Sequence, residues 1–339
     1  MKGKNFFSLL RIGAVLLALV GCSPVVPLEK IQIRNGIAYK SNSDTPFSGI
    51  VVEKYSKSLI KEKINYKDGK KDGEQLAYYK NGQIAFKTNY KDGKEDGGWV
   101  TYDKNGQIRF TENWKDGKCE GESICYFENG QVEFKANHKD DKLHGEWVSY
   151  YKNGQIALKI NYKDGKDDGA WITYYENGQI EFKTNHKDGK EDGESVSYYE
   201  NGQIKATGNY KDGSRDGEWV EYYENGQIKG KINYKNGKEG GEWVSYYENG
   251  QVSWKRNYKN GKEDSEWVSY YENGQIEYKI HYKNGNKDGE WISYYENGRI
   301  KGKINYKNGK EDDGEWVSYY EDGQIKEKRT YKDGKRVDN

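Results

Sequence analysis

The sequence predicts an all-β fold: an elongated antiparallel β-hairpin repeat array, a single-sheet rod of about 12 units of 24 residues. Three observations carry that prediction. Asn-Gly recurs with a constant step of 24 residues, as Asn81-Gly82, Asn105-Gly106, Asn129-Gly130 and onward to Asn297-Gly298. Aromatic residues (10 Trp, 32 Tyr and 8 Phe) recur at fixed intervals in a chain that is otherwise very polar, with a mean hydropathy of −1.20. Spaced aromatics are what ordered β-structure needs and disordered chain lacks. Finally, no proline follows Pro46, which suits a long run of hydrogen-bonded strands.

Three segments follow in chain order: residues 1–21, 22–46 and 47–339. In the first, Lys2 and Lys4 form a basic start, and the apolar stretch from Ile12 to Val20 is too short to cross a bilayer as a mature helix. Leu19-Val20-Gly21-Cys22 resembles the bacterial lipobox, which implies cleavage before Cys22 and lipidation of its thiol. The same resemblance makes residues 1–21 a lipoprotein signal peptide and the chain an exported, membrane-anchored protein. Ser23 stands where the inner-membrane retention signal has aspartate, which by resemblance favours the outer membrane or cell surface. The second segment reads as a lipidated N-terminus and tether, stiffened by Pro24 and Pro27 over Ser23 to Glu29.

The third segment is the repeat domain, and Gly217 to Gly240 represents it. Glu218 to Tyr223 and Ile228 to Tyr234 read as two strands, rich in aromatic and branched residues. Asn225-Gly226 between them reads as a type I′ turn. That turn pairs Tyr223 with Ile228, Glu221 with Gly230 and Trp219 with Ile232 on one face. It puts Tyr222 against Lys229 and Val220 against Lys231 on the other. A second Asp-Gly or Asn-Gly, as in Asp164-Gly165 and Asn236-Gly237, turns the chain back once more per unit. Gln75, Ser123 and Ser195 replace the tryptophan, and Glu112 and Arg256 enter its face, so that face is expected to be only partly buried. At about 4.8 Å per strand the rod would extend on the order of 115 Å.

Charge sets limits on function. The formal net charge of +1 becomes about −2 once Lys2, Lys4 and Arg11 are removed, which gives no support to nucleic-acid binding. Cys119 and Cys125, on extended chain, are too far apart for a disulfide and read as drift within one repeat. His138, His144, His186 and His281 are scattered without ligand spacing, so no metal is expected. The Asp-Gly-Lys-x-Asp-Gly loops, as at Asp92 and Asp96, look superficially like calcium loops, but a lysine separates the acids and turn chemistry accounts for them. No Ser-His-Asp, Cys-His or isolated carboxylate pair stands out from the repeat background, so neither catalysis nor a cofactor is expected.

The one surface that invites recognition is the column of first tyrosines: Tyr150, Tyr174, Tyr198, Tyr222, Tyr246, Tyr270, Tyr294 and Tyr319. Lys159, Lys183, Lys231, Lys255, Lys279 and Lys303 flank it on the same expected face. This is either an amphipathic surface for protein, glycan or anionic headgroups, or a solvated ladder in which lysine stems cover tyrosine rings.

Tyr-Tyr-Glu-Asn-Gly-Gln-Ile followed by Tyr-Lys-Asp-Gly-Lys-x-Asp-Gly-Glu-Trp resembles the bacterial variant of the MORN repeat, the type grouped as the YwqK-family antitoxin repeat. The resemblance implies stacked β-hairpins with scaffolding or membrane-associated roles. The expected function is thus a non-catalytic, lipid-anchored scaffold at the cell envelope that mediates protein–protein or surface interaction. Two alternatives stand beside it: an antitoxin or immunity protein that neutralises an exported toxin, and a module binding cell wall, glycan or phospholipid headgroups, since the Trp-x-x-Tyr-Tyr hairpin superficially resembles choline-binding repeats. A repeat is an architecture and not a reaction. The chain has no Gly-x-x-x-x-Gly-Lys-Ser/Thr loop, no His-Arg-Asp and no Asp-Phe-Gly, so the lipid-kinase association of MORN repeats does not extend to it.

Overall fold

The computed structural model describes residues 23–311, 314–332 and 335–337. The predicted signal peptide and Cys22 lie outside the described residues. Among the described residues there are β-strands, one 3-10 turn at Leu28–Lys30 and no α-helix. The described residues form two compact units, divided between Gly106 and Gln107.

In the first unit, the stretch read as a tether is folded. Val25–Pro27 pairs in parallel with Gly49–Lys54, Val26 lying opposite Val51. A hairpin of Ile31–Arg34 and Ile37–Lys40 follows. Val26, Ala38, Phe47 and Val51 make a small buried core against which Ile31 and Tyr66 pack. Burying each large side chain there contributes roughly 1.5–3 kcal/mol. The amide of Gly69 donates to the Phe47 carbonyl and the amide of Ala38 to the Gly69 carbonyl, both at 2.8 Å. Gly69 has φ +80° and a Cβ there would collide with Ile37, so this close approach requires glycine. The short sequence pattern concealed the core because its apolar residues come from three separate stretches.

In the second unit, antiparallel hairpins follow one another in chain order. Trp219 pairs with Ile232, Val220 with Lys231 and Glu221 with Gly230, as the sequence predicts. Beyond Glu221 the register slips: a bulge pairs Tyr222 with Ile228. The cause is the turn. Only Gly226, at φ 82°, enters the left-handed region, and Asn225 does not. Tyr223 N donates to Gln227 O at 2.8 Å and Gly226 N to Tyr223 O at 2.9 Å. This is a type I turn closed by a glycine bulge rather than the expected type I′. Asn225 Oδ1 accepts the Gln227 amide at 2.9 Å, an Asx bond that suits the longer loop. The true type I′ geometry sits at the other connection, where Asn236 and Gly237 have φ 50° and 75° and Lys235 pairs with Lys238.

The slip moves Lys229 away from the tyrosine. Its ammonium stands 3.8 Å from the Glu221 carboxylate on the tryptophan side, and Ser269 Oγ likewise donates to Glu277 at 2.7 Å two units later. The tryptophan face is partly buried, as its substitutions suggested. Trp219, Trp267 and Trp291 are half-buried while Ile232, Ile280 and Ile304, paired with them, are buried. Where Ser195 replaces tryptophan it pairs with Gly208, and a Cβ at Gly208 would collide with the Trp219 ring. The small pair makes room for the neighbouring unit's tryptophan.

Candidate functional site

The two adjacent tyrosines of each unit have different uses. The second is a staple. Tyr223 Oη donates to the Tyr246 carbonyl at 2.7 Å, and Tyr151, Tyr175, Tyr199, Tyr247 and Tyr271 make the same bond to the unit ahead at 2.5–2.8 Å. Burial raises the pKa of these hydroxyls above the ordinary tyrosine value. Phe127 lacks the hydroxyl, and Asp103 lacks the ring. Arg109 donates to the Tyr126 carbonyl at 2.5 Å, the bond a staple from the preceding unit would have made. Sequence reading missed this ladder, because its partner lies 23 residues ahead on another hairpin.

The first tyrosines, from Tyr150 to Tyr319, are all half-buried. None of their hydroxyls hydrogen-bonds another described residue. Val148, Val196, Val220, Val268 and Val317, on the same face, are buried with at most 8% of their surface exposed. The lysines are there too: Lys183 Nζ stands 5.9 Å from the centre of the Tyr198 ring.

Glutamates join them, which the sequence reading overlooked. Lys159 lies 3.8 Å from Glu146, Lys255 4.0 Å from Glu242, and Lys279 4.0 Å from Glu266. The period of two that places Val220 on this face also places Glu218 there. The face is therefore a field of alternating charges rather than a cationic strip. In the first unit the equivalent pair, Lys87 with Glu74 at 2.6 Å, raises the lysine pKa through its hydrogen bond to the carboxylate.

The loop acids stitch units together. Asp216 accepts the Asn236 amide at 3.4 Å, Asp192 that of Asp212 at 3.3 Å, and Asp72 that of Asp92 at 3.2 Å. His144 faces Asp164 at 3.6 Å and His138 shares a 3.1 Å contact with Ser123. Among the described residues, no three His, Cys, Asp or Glu side chains converge as a metal site. Cys119 and Cys125 are free thiols, both pushed up in pKa first by burial.

Eleven segments from 71–92 to 312–333 match the MORN repeat variant family, together covering more than half of the chain. The chain belongs to the MORN repeat variant family. Each matched segment of this MORN repeat protein contains an Asn-Gly or Asp-Gly turn of the first kind and runs to the second turn. A search of curated proteins returns no match. Among solved structures, the crystal structure of TcdB2-TccC3 is 12% identical with a TM-score of 0.18, over 81% of this chain and 18% of the other. The Photorhabdus luminescens Tc holotoxin pore is likewise 12% identical with a TM-score of 0.18, over 90% and 19%. The GtfA/B complex bound to UDP and GlcNAc is 13% identical with a TM-score of 0.13, over 47% and 26%. The MORN chain thus spans about a fifth of the length of the toxin chains it matches. No described helix is long and apolar enough to cross a membrane.

Proposed function

We propose that this MORN repeat protein is a non-catalytic scaffold, held at the cell envelope by a lipid on Cys22, that presents its first-tyrosine face to a protein partner. One observation carries the reading. The second tyrosines from Tyr151 to Tyr295 use their hydroxyls to join units, whereas the first tyrosines repeat in register with hydroxyls that bond no other described residue. A half-buried ring with an available hydroxyl gives contact area at little entropic cost, the property that enriches tyrosine at interfaces. The glutamates between the lysines balance their charge, which favours a protein over an anionic lipid surface.

The test is cross-linking on intact cells, comparing the protein with a variant carrying Tyr222→Ala, Tyr246→Ala and Tyr270→Ala. Loss of the partner band with unchanged circular dichroism supports the reading, and equal recovery from both removes the tyrosine face. Separately, Cys22→Ala is expected to abolish incorporation of a labelled fatty acid and to release the chain from the membrane fraction. Persisting label would place the acylation elsewhere.

A further inference from the structure

The tryptophan face holds a feature that the repeat does not explain. Along most hairpins one column of that face carries a large side chain, as at Phe134, Leu158, Phe182, Trp254 and Tyr278, with Gly302 and the glutamates Glu62 and Glu327 as single departures. In two successive units between Phe182 and Trp254 it carries Ala206 and Gly230 instead. Strand pairing sets the small residues side by side: Phe182 faces Ser197, Ser197 faces Ala206, Ala206 faces Glu221, Glu221 faces Gly230, and Gly230 faces Ser245. The result is a trough across the strands, with a pocket of about 410 Å³. Ala206, Gly230 and Ile232 floor it, and flat rings wall it, chiefly Phe182, Trp219 and Trp243.

Its polar groups are few and electrically balanced. Arg215 packs over the Trp219 ring at 4.3 Å and donates to the Tyr234 hydroxyl at 3.2 Å. Glu221, exposed at the centre of the row, is the one anion of the lining and Arg215 the one cation; Lys229, 3.8 Å from the Glu221 carboxylate, lies outside the lining. A pocket of broad aromatic faces with a few convergent hydrogen-bonding groups selects a ligand that is flat, apolar on its faces and polar around its edge. A hexopyranose with equatorial substituents has that form: its axial C–H bonds lie on a ring face while its hydroxyls radiate to carboxylate, guanidinium and hydroxyl partners. With one cation and one anion lining the pocket, no net charge calls for a charged sugar.

We infer that the trough formed by Ala206 and Gly230 is a binding site for a neutral oligosaccharide of equatorial pyranoses, seated on Trp219 and Trp243 and hydrogen-bonded by Glu221 and Arg215. The site is on the opposite face from the first tyrosines and does not depend on their role.

The experiment titrates the full-length protein with cellotetraose and with chitotetraose, read by tryptophan fluorescence and by calorimetry. Saturable binding of at least one of them is expected. Trp243→Ala is expected to weaken it by at least about tenfold, the usual penalty for removing a central aromatic anchor. The decisive variant is Gly230→Phe, which restores the large residue that Phe182 and Trp254 carry in their own units. A Cβ at Gly230 meets only ordinary contacts, 3.4 Å from the Val244 carbonyl and 3.6 Å from the Trp243 indole nitrogen, so the backbone accepts a side chain there and its ring enters the trough. Filling the trough is expected to abolish sugar binding while leaving circular dichroism and denaturation midpoint unchanged. Absence of binding by either sugar at millimolar concentration overturns the inference, as does binding that survives Gly230→Phe. A fluorescence response to a tyrosine-rich peptide but to neither sugar also overturns it.

Discussion

The two rims of the hairpin array carry the same dipeptide in different conformations. At one rim, Asn225-Gly226 sits in a three-residue loop with only the glycine left-handed; at the other, Asn236-Gly237 makes a two-residue turn with both residues left-handed. The first rim joins units through side-chain donors aimed forward, Tyr223 to the Tyr246 carbonyl at 2.7 Å and Asn153 Nδ2 to the Glu176 carbonyl at 3.0 Å. The second joins them through backbone amides aimed back at the previous unit, Gly237 to the Arg215 carbonyl at 2.9 Å and, in longer bonds of 3.2–3.4 Å, the residue before each glycine to the previous unit's acid. Conformation here follows from what the Asn side chain and its neighbours bond, and the dipeptide alone does not determine it.

If the first rim carries more of the cohesion between units, breaking it is the larger effect. Tyr199→Phe, Tyr223→Phe and Tyr247→Phe together remove three hydroxyl donors and leave three carbonyls short of a partner, an expected loss of about 3 kcal/mol if each contributes about 1 kcal/mol. Urea denaturation checks this; a midpoint unchanged within error would make the staples incidental. Asp192→Ala with Asp216→Ala, the matching lesion on the second rim, is expected to cost about 1 kcal/mol in total, since those bonds are long and exposed.

The asparagines sharpen the contrast further. Asn153→Asp abolishes the side-chain donor to Glu176 and is expected to cost about 1 kcal/mol. Asn236→Asp is expected to change stability by less than about 0.5 kcal/mol, because Asp164 already occupies the equivalent left-handed position. Equal losses from the two substitutions would erase the distinction between the rims.

The smallest expected effect is the response to alkali. The folded state raises the pKa of the staple tyrosines, chiefly by burial, so it favours their neutral form. Their stabilising contribution is therefore complete below the unfolded pKa of about 10 and declines as pH rises from there through the folded value. The denaturation midpoint is expected to stay level from neutrality to about pH 9 and then fall. The triple phenylalanine variant is expected to show a shallower fall over the same range.

Much of this was legible in the sequence. A constant step and a period of two placed the two long strands of each repeat, the pairing of Trp219 with Ile232 and the half-buried tryptophan face. The turn type was not, because Asn-Gly suits both geometries and the choice depends on a side-chain bond to Gln227. The bulge beyond Glu221 followed from that choice and carried Lys229 to the other face. The first-tyrosine column did come together with its lysines, but the glutamates beside them were overlooked although the same alternation placed them. Staples between units were hidden because no pattern within one unit states how neighbouring hairpins align. The folded segment around Val26 and Phe47 was hidden because it occurs once and has no echo to reveal it.

Because every tyrosine staple points forward by one unit, any unit can serve as the acceptor for any other. Excision of Gly217 to Gly240 would set Tyr199 opposite the carbonyl of Tyr246, chemically the same partner as the Tyr222 it lost. Tyr295 still reaches Tyr319 although an inserted residue separates them by 24 positions instead of 23. Recombination between stapled copies in the gene can therefore lengthen or shorten this protein while renewing the bond at the joint, so the number of its units is free to drift between lineages while its construction stays the same.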